Sequence, residues 1–271
     1  MPTTSWTETL YRLCQLVLAL SWGILAASVL HLAEHMGWSV STTRSRLMGI
    51  WFRHVAKALS LQVEVIGQPH QISRMVVANH ISWLDIVVLG SCVEGRFLAK
   101  QEVRSWPMLG WLAGQAGTLF IDRQSNSSLS KMVTAVADEI ACGRRVLLFP
   151  EGTTSVGEQV MPFHSGLFEA AKSTQSSIQP AALEYFCKDG RRDLKVAPFV
   201  GKDEFSTHLW RLLRGRGLRV RLSLLTAIPT KNSHRRELAT IANQRIAGII
   251  RSNVILARTP TGKQRGFVGR A

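Results

Sequence analysis

A chain of 271 residues, 46% of them apolar, is long enough to bury one sizeable core and too polar for a polytopic membrane protein. Its four cysteines, Cys14, Cys92, Cys142 and Cys187, are widely spaced and include no Cys-x-x-Cys, which argues against a disulfide framework or a thiolate zinc site and fits a reducing compartment. The net charge of +15 sits at one end: residues 1–190 carry 15 Lys/Arg against 14 Asp/Glu, whereas residues 191–271 carry 18 against 4. Such asymmetry calls for an anionic partner, and the membrane lipid surface is favoured. No nucleic acid is expected, because no recognition motif or aromatic-basic module is visible.

Leu13 to Leu30 is an uncharged run of 18 residues, near the lower limit for crossing a bilayer, for which about 20 are usual. It reads as a membrane-spanning or in-plane helix. The alternatives are a signal peptide, although Glu8 and the lack of charge before Arg12 oppose it, and a buried helix. Arg44, Arg46, Arg53 and Lys57 follow the run, so the positive-inside rule places the bulk of the chain on the cytoplasmic face. Arg44 to Leu59 has the spacing of an amphipathic helix. Strands are predicted at Leu61–Ile66, Met75–Ala78, Arg96–Ala99, Thr118–Ile121, Val146–Phe149, Ile178–Leu183, Lys195–Val200 and Leu218–Ala227. Helices are predicted at Trp83–Gly90, Pro107–Ala113, Asn126–Ala141, Ser165–Ser173, Glu204–Leu213 and Arg235–Arg251. This alternation predicts a single α/β domain with a mainly parallel or mixed sheet flanked by helices, preceded by the N-terminal membrane-associated helix. The expected divisions are 1–60 for the anchor and amphipathic helix, 61–256 for the catalytic domain and 257–271 for a basic disordered tail.

Val76 to Ile86, VVANHISWLDI, carries the first chemical signal. His is the side chain best suited to take a proton near neutral pH, and a carboxylate that fixes its tautomer improves it. Residues five apart do not share a helix face, so His80 and Asp85 can work together only with His80 on a turn and Asp85 on the element after it. Ser82 and Asp85 also have capping-box spacing, so Asp85 can equally be read as stabilising a helix N-terminus and His80 as a turn residue.

Three later stretches bear on that choice: Gly117–Arg123 (GTLFIDR), Val146–Ser155 (VLLFPEGTTS) and Ile178–Ala182 (IQPAA). Together with Asn79-His80 and Asp85, and in this order, they resemble the four blocks of the glycerolipid acyltransferase family, the lysophosphatidic acid acyltransferases and their relatives. The His-x4-Asp block matches at His80 and Asp85, the Gly-x-x-Phe-x-x-Arg block at Gly117, Phe120 and Arg123, and the Phe-Pro-Glu-Gly-Thr-x-Ser block at Phe149 to Ser155. The fourth block matches more loosely around Pro180. The resemblance covers roughly residues 63–200 and begins each block at an expected strand end, where α/β sheets place their sites.

The resemblance implies that His80 is the base and Asp85 its orienter when a hydroxyl attacks a thioester carbonyl, with no covalent enzyme intermediate. Asn79, Arg123, Glu151, Gly152 and Thr153 are the implied substrate-binding residues. Arg123 can hold an acceptor phosphate through two parallel hydrogen bonds. Gly152 and Thr153 can offer backbone N–H groups and a hydroxyl. Glu151 is expected to pair with Arg123 or another cation, or to bind acceptor hydroxyls, and Asn79 either holds the turn or touches substrate. No metal is expected, and the acyl donor, acyl-CoA or acyl-carrier protein, is a co-substrate and not a resident cofactor. The expected product is phosphatidic acid, from a lyso-lipid acceptor bearing phosphate. One departure stands out: His164 replaces the lysine of many relatives, which leaves room for another acceptor such as lyso-ornithine lipid or a lysophospholipid with a larger headgroup, and reads equally as a surface histidine with no role. A non-catalytic lipid-binding protein and a Ser82 hydrolase are the competing classes, the latter weakened because Ser82 lies in no Gly-x-Ser-x-Gly elbow. Nothing in the chain signals an oligomeric state.

Overall fold

The structure is a computed structural model and describes residues 4–105, 109–121 and 128–258. Seven strands among the described residues form one sheet: β1 (Leu61–Ile66), β2 (Met75–Ala78), β3 (Arg96–Lys100), β4 (Leu119–Ile121), β5 (Val146–Leu148), β6 (Ile178–Phe186) and β7 (Leu218–Leu224). Their order is β1-β7-β6-β2-β5-β3-β4. Every pairing is parallel except β6 with β7, so the sheet is mixed. β2 lies between β5 and β6, and all four of its residues are buried. That is why it reads as an unbroken apolar run with no alternation.

Side-chain alternation along the sheet divides the interior. Val76 and Ala78 face one core with α2 (Ser41–Ala58), α3 (Leu84–Cys92) and α8 (Phe205–Arg214). Met75 and Val77 face the other, with α6 (Ser128–Ala141), α7 (Phe168–Ser173) and the start of α9 (Arg235–Arg258). The helix pair α2 and α3 crosses closely because Gly90 has no side chain: a Cβ there would lie 2.5 Å from the Phe52 ring.

α1 spans Trp6–His35, longer than the apolar run alone suggested. It folds back as a hairpin with α2, whose Trp51 donates its indole N–H to the Ala19 carbonyl (3.0 Å) over the space left by Gly23. Buried Arg12 pairs with Glu8 and donates to the carbonyls of Leu213 (3.3 Å) and Gly215 (2.6 Å) at the end of α8. Thr9, Arg12, Leu16, Ala19, Gly23 and Leu30 therefore form the face toward the domain. Leu10, Val17, Leu25, Val29 and Leu32 form an exposed apolar stripe on the other. Residues 4–60 thus pack onto residues 61–256. The helix is long and apolar enough to cross a membrane.

Three expectations change. No strand forms at 195–200. The Asp193 carboxylate accepts the N–H groups of Lys195 (3.3 Å), Val196 (2.8 Å) and Ala197 (2.8 Å), giving the backbone a local partner in place of a ladder. β6, moreover, is already flanked by β2 and β7. α9 continues to Arg258 beyond the expected end at Arg251, and residues 259–271 lie outside the described residues. α4 (Gln101–Arg104) precedes α5 (Leu109–Gln115), and Pro107 lies outside the described residues.

Candidate active site

β2 delivers the chain to the carboxyl edge of the sheet, and Asn79 fixes how it leaves. The Asn79 amide donates to the Leu183 carbonyl (3.0 Å) and accepts from the Leu183 N–H (2.8 Å), clamping the end of β2 to β6. Both ends of this buried amide are occupied, so Asn79 holds the turn, the first of the two roles expected of it.

His80 follows on the turn, and α3 begins four residues later. The helix start carries Asp85 back over the turn, and its Oδ2 lies 2.8 Å from His80 Nδ1. The same oxygen accepts the N–H groups of Ile81 (2.6 Å) and Ser82 (2.9 Å). The cap reading and the orienter reading of Asp85 are thus both realised by one carboxylate. The Ser82 hydroxyl is buried without a hydrogen bond, so the reciprocal half of the capping box is missing. Lacking a bond to His80, Ser82 also lacks the activation a nucleophile requires. An ionised carboxylate can only accept, so the His80 proton lies on Nδ1 and the Nε2 lone pair is left available. The imidazole lies flat on Phe149 at 4.1 Å between centroids and 11° between planes, which fixes its remaining rotation.

Asp85 Oδ1 is occupied as well. Tyr185, on β6, donates its phenol to it at 2.7 Å, and both residues are wholly buried. Burial, and then the adjacent charge of Asp85, hold the Tyr185 phenol well above its ordinary range, so it remains a donor at any working pH. Sequence reasoning missed Tyr185. Its only signal is a tyrosine in an otherwise aliphatic buried strand, which needs a partner for its hydroxyl. Only the strand order, with β6 beside β2, says which partner that is.

The turn after β5 closes the site from the other side. Ser155 donates its N–H to the His80 carbonyl (2.8 Å), and Glu151 accepts the His80 N–H at Oε1 (3.1 Å). Glu151 is buried, and its Oε2 has no well-formed hydrogen bond among the described residues. Burial pushes its carboxyl up to about 7, against the opposing pull of the His80 and Met161 N–H groups. Among the described residues no cation pairs with Glu151, and Arg123 lies outside them. Gly152 adopts φ +74°, and its N–H donates to the Phe149 carbonyl (3.1 Å), so that group closes the turn and is not held free for an anion as expected. Thr153 is exposed at the tip. Exposed His164 donates its backbone N–H to the Pro150 carbonyl (2.9 Å), which places it at the rim of the same turn.

The fourth block does not reach the site. Pro180 lies inside β6, level with Val77, so this stretch is sheet core that positions Leu183 and Tyr185 further along the strand. A further histidine braces the floor: buried His208 accepts the Trp83 indole N–H at Nδ1 (3.0 Å) and faces the Ala197 carbonyl at Nε2 (3.2 Å). Burial, aided by Arg211, lowers its pKa and keeps it neutral. Among the described residues no three His, Cys, Asp or Glu side chains gather as a metal site.

Comparisons with known proteins point to one family. The family described as Acyltransferase matches residues 62–184, a span that contains His80, Asp85 and Glu151 and ends one residue before Tyr185. The chain is 40% identical over 239 residues to the lyso-ornithine lipid O-acyltransferase of Pseudomonas aeruginosa, covering 88% of this chain and 91% of that one. It is 34% identical over 187 residues to the 1-acyl-sn-glycerol-3-phosphate acyltransferase of Neisseria meningitidis, covering 68% and 72%. The crystal structure of PlsC, the 1-acyl-sn-glycerophosphate acyltransferase of Thermotoga maritima, shares the fold with a TM-score of 0.55 at 21% identity, over 92% of this chain and 100% of that one.

Proposed function

The chain belongs to the family of lysophosphatidic acid and lyso-lipid acyltransferases, and from that premise we propose that it acylates the free hydroxyl of lyso-ornithine lipid at His80. The observation that carries the chemistry is the Asp85–His80 pair: Nδ1 is held at 2.8 Å by a buried carboxylate, which leaves Nε2 for the acceptor. An alcohol is a poor nucleophile at neutral pH. Nε2 takes its proton as the oxygen attacks the thioester carbonyl, and Asp85 stabilises the imidazolium that forms. As the tetrahedral intermediate collapses, the C–S bond breaks and the imidazolium returns the proton to the departing sulfur. The donor, acyl-CoA or acyl-carrier protein, is consumed as substrate. Asn79 and Tyr185 act as positioning residues, while Thr153 and Arg123 contact the acceptor.

Two features support the acceptor. Relatives named for lyso-ornithine lipid match between 70% and 94% of this chain, against 68% and 66% for the two Neisseria relatives named for the glycerol phosphate substrate. His164 at the rim of the Glu151 turn replaces a fixed cation, which suits an amino-acid headgroup better than a phosphate ester. The second reading is lysophosphatidic acid, giving phosphatidic acid. It is favoured by the Neisseria relative and would give Arg123 its phosphate.

The membrane supplies the acceptor. α1 rests on its own domain through α2, α5 and α8, so its two ends cannot lie in opposite water phases while the domain stays outside the bilayer. This supports a helix lying in the plane of the cytoplasmic leaflet, its exposed stripe in the acyl region and the basic residues of α2 near anionic headgroups.

The test is a transfer assay with purified protein in mixed micelles, with labelled acyl-CoA and acyl-carrier protein as donors and lyso-ornithine lipid, lysophosphatidic acid and lysophosphatidylglycerol competing as acceptors. Lyso-ornithine lipid is expected to dominate. Dominance of phosphatidic acid would overturn the acceptor and keep the chemistry. Absence of any transfer from folded protein would overturn both.

A further inference from the structure

A basic cavity lies at the same end of the sheet as His80. β6 runs parallel to β2, so Cys187, just past its end, emerges on the side where Asn79 leaves β2. β7 is antiparallel to β6, so Leu218 enters there too. Between the loop after β6 and the loop before β7 is an open cavity of about 780 Å³. It begins about 13 Å along β6 from Leu183, the residue clamped by Asn79, at roughly 3.3 Å per strand residue.

Seven of its lining residues are Lys or Arg, and two are Asp. The two carboxylates are already engaged: Asp189 pairs with Arg191 (2.7 Å), and Asp193 holds its own loop. Arg192 faces Glu184 at 3.6 Å, and Arg211 pairs with Asp203. Lys188, Lys195 and Arg216 have no ion-pair partner among the described residues. Lys188 and Arg216 also border an adjoining cleft of about 520 Å³ with Arg53 and Lys57, so the basic surface continues from one depression into the next. One wall is shared with the anchor helix: Arg214 lies 4.3 Å over the exposed Trp6 ring.

A concavity of this size suits a small ligand, and unpaired cations around it suit a phosphate ester, whose charge persists at every working pH. We propose that this cavity binds a phosphate ester carried by a partner of the reaction, either the nucleotide half of acyl-CoA or the headgroup of an anionic bilayer lipid. The inference rests on the reading of this chain as a thioester-dependent lyso-lipid acyltransferase. The acceptor favoured above carries no phosphate, so the anion must come from the donor or from the bilayer. A nucleotide held here sits at the same end of the sheet as His80. A lipid held here would fix the domain's orientation beside α1.

The test uses the full chain and the variant K188Q/R216Q, neither position belonging to the site around His80. Coenzyme A is titrated against protein in detergent micelles, and sedimentation is measured with phosphatidylcholine vesicles with and without phosphatidylglycerol. Loss of two cations should weaken binding on the order of thirtyfold, about fivefold for each. A weaker coenzyme A affinity with a matching rise in the KM for acyl-CoA, at unchanged kcat and acceptor KM, assigns the nucleotide. Loss of the phosphatidylglycerol-dependent sedimentation alone assigns the lipid. Both arms unchanged in a variant that melts like the parent overturns the proposal. If the variant does not fold, the parent protein decides: binding that weakens from low to high salt supports the site, and salt-independent binding in both arms overturns it. Absence of acyl transfer by the parent would defeat the catalytic reading while leaving both binding arms interpretable.

Discussion

Two carboxylates approach His80 from two turns, are almost equally buried, and are held in opposite ways. Asp85 receives four hydrogen bonds, from His80 Nδ1, the N–H groups of Ile81 and Ser82, and the Tyr185 phenol. Glu151 receives the His80 N–H at one oxygen and no well-formed bond at the other, and its carboxyl is pushed up to about 7. Burial penalises both charges, so the difference lies in the donors supplied. The turn after β2 is built to keep a charge under the imidazole. The turn after β5 is built to hold the backbone of that imidazole's residue, and it tolerates a proton in doing so.

The largest effect should come from removing the base. H80A is expected to lower turnover on the order of 10⁴-fold, to the level that positioning alone supports, while vesicle binding stays at the parent level. Retained transfer above about a hundredth of the parent rate would take the base role from His80. Next comes D85N. An amide must turn its NH₂ toward one of the donors that Asp85 now satisfies, and it releases the Nδ1 tautomer. A loss of roughly 10³-fold in kcat is expected, with little change in the acceptor KM. Equal losses in kcat and binding would mean that Asp85 serves the fold alone.

Y185F is the smaller and sharper test. With one donor gone, the Asp85 charge is concentrated on His80, and the imidazolium is stabilised. The acid limb of the pH–rate profile should therefore move to higher pH, with a loss of about threefold to tenfold at neutral pH. A merely structural tyrosine would lower stability and leave the limb in place.

The His80–Asp85 pairing was legible in the chain because both residues lie within one turn and the start of one helix, where spacing limits the geometry. The same spacing could not choose between capping and orienting, and the structure shows why: Oδ2 does both. Tyr185 was not legible, because its contact with Asp85 crosses 100 positions and depends on strand order. The stretch at 195–200 misled because its alternation is that of a strand, whereas Asp193 satisfies its N–H groups locally. Pro180 misled differently. Its block was expected at a strand end, yet its position along β6 is what carries Tyr185 to the level of Asp85.

Glu151 gives the finest test, because the sign of its effect on stability is fixed by the comparison with Asp85. Its carboxyl titrates near 4.5 when solvated and near 7 when folded. Between these values the folded chain binds more protons than the unfolded one, so the stability this group contributes is full below about 4.5 and is lost as the pH rises through 7. The loss is at most about 3 kcal/mol. E151Q keeps an acceptor for the His80 N–H and has no charge to bury. It should therefore melt at a higher temperature than the parent at pH 8 and show a flatter dependence on pH between 5 and 8, with turnover reduced less than about tenfold. Denaturant melts at both pH values check this. A parent protein whose stability rises over that interval would mean that Glu151 is charged and paired in the folded state. Arg123, the cation expected beside it from the sequence, would then be the partner to mutate.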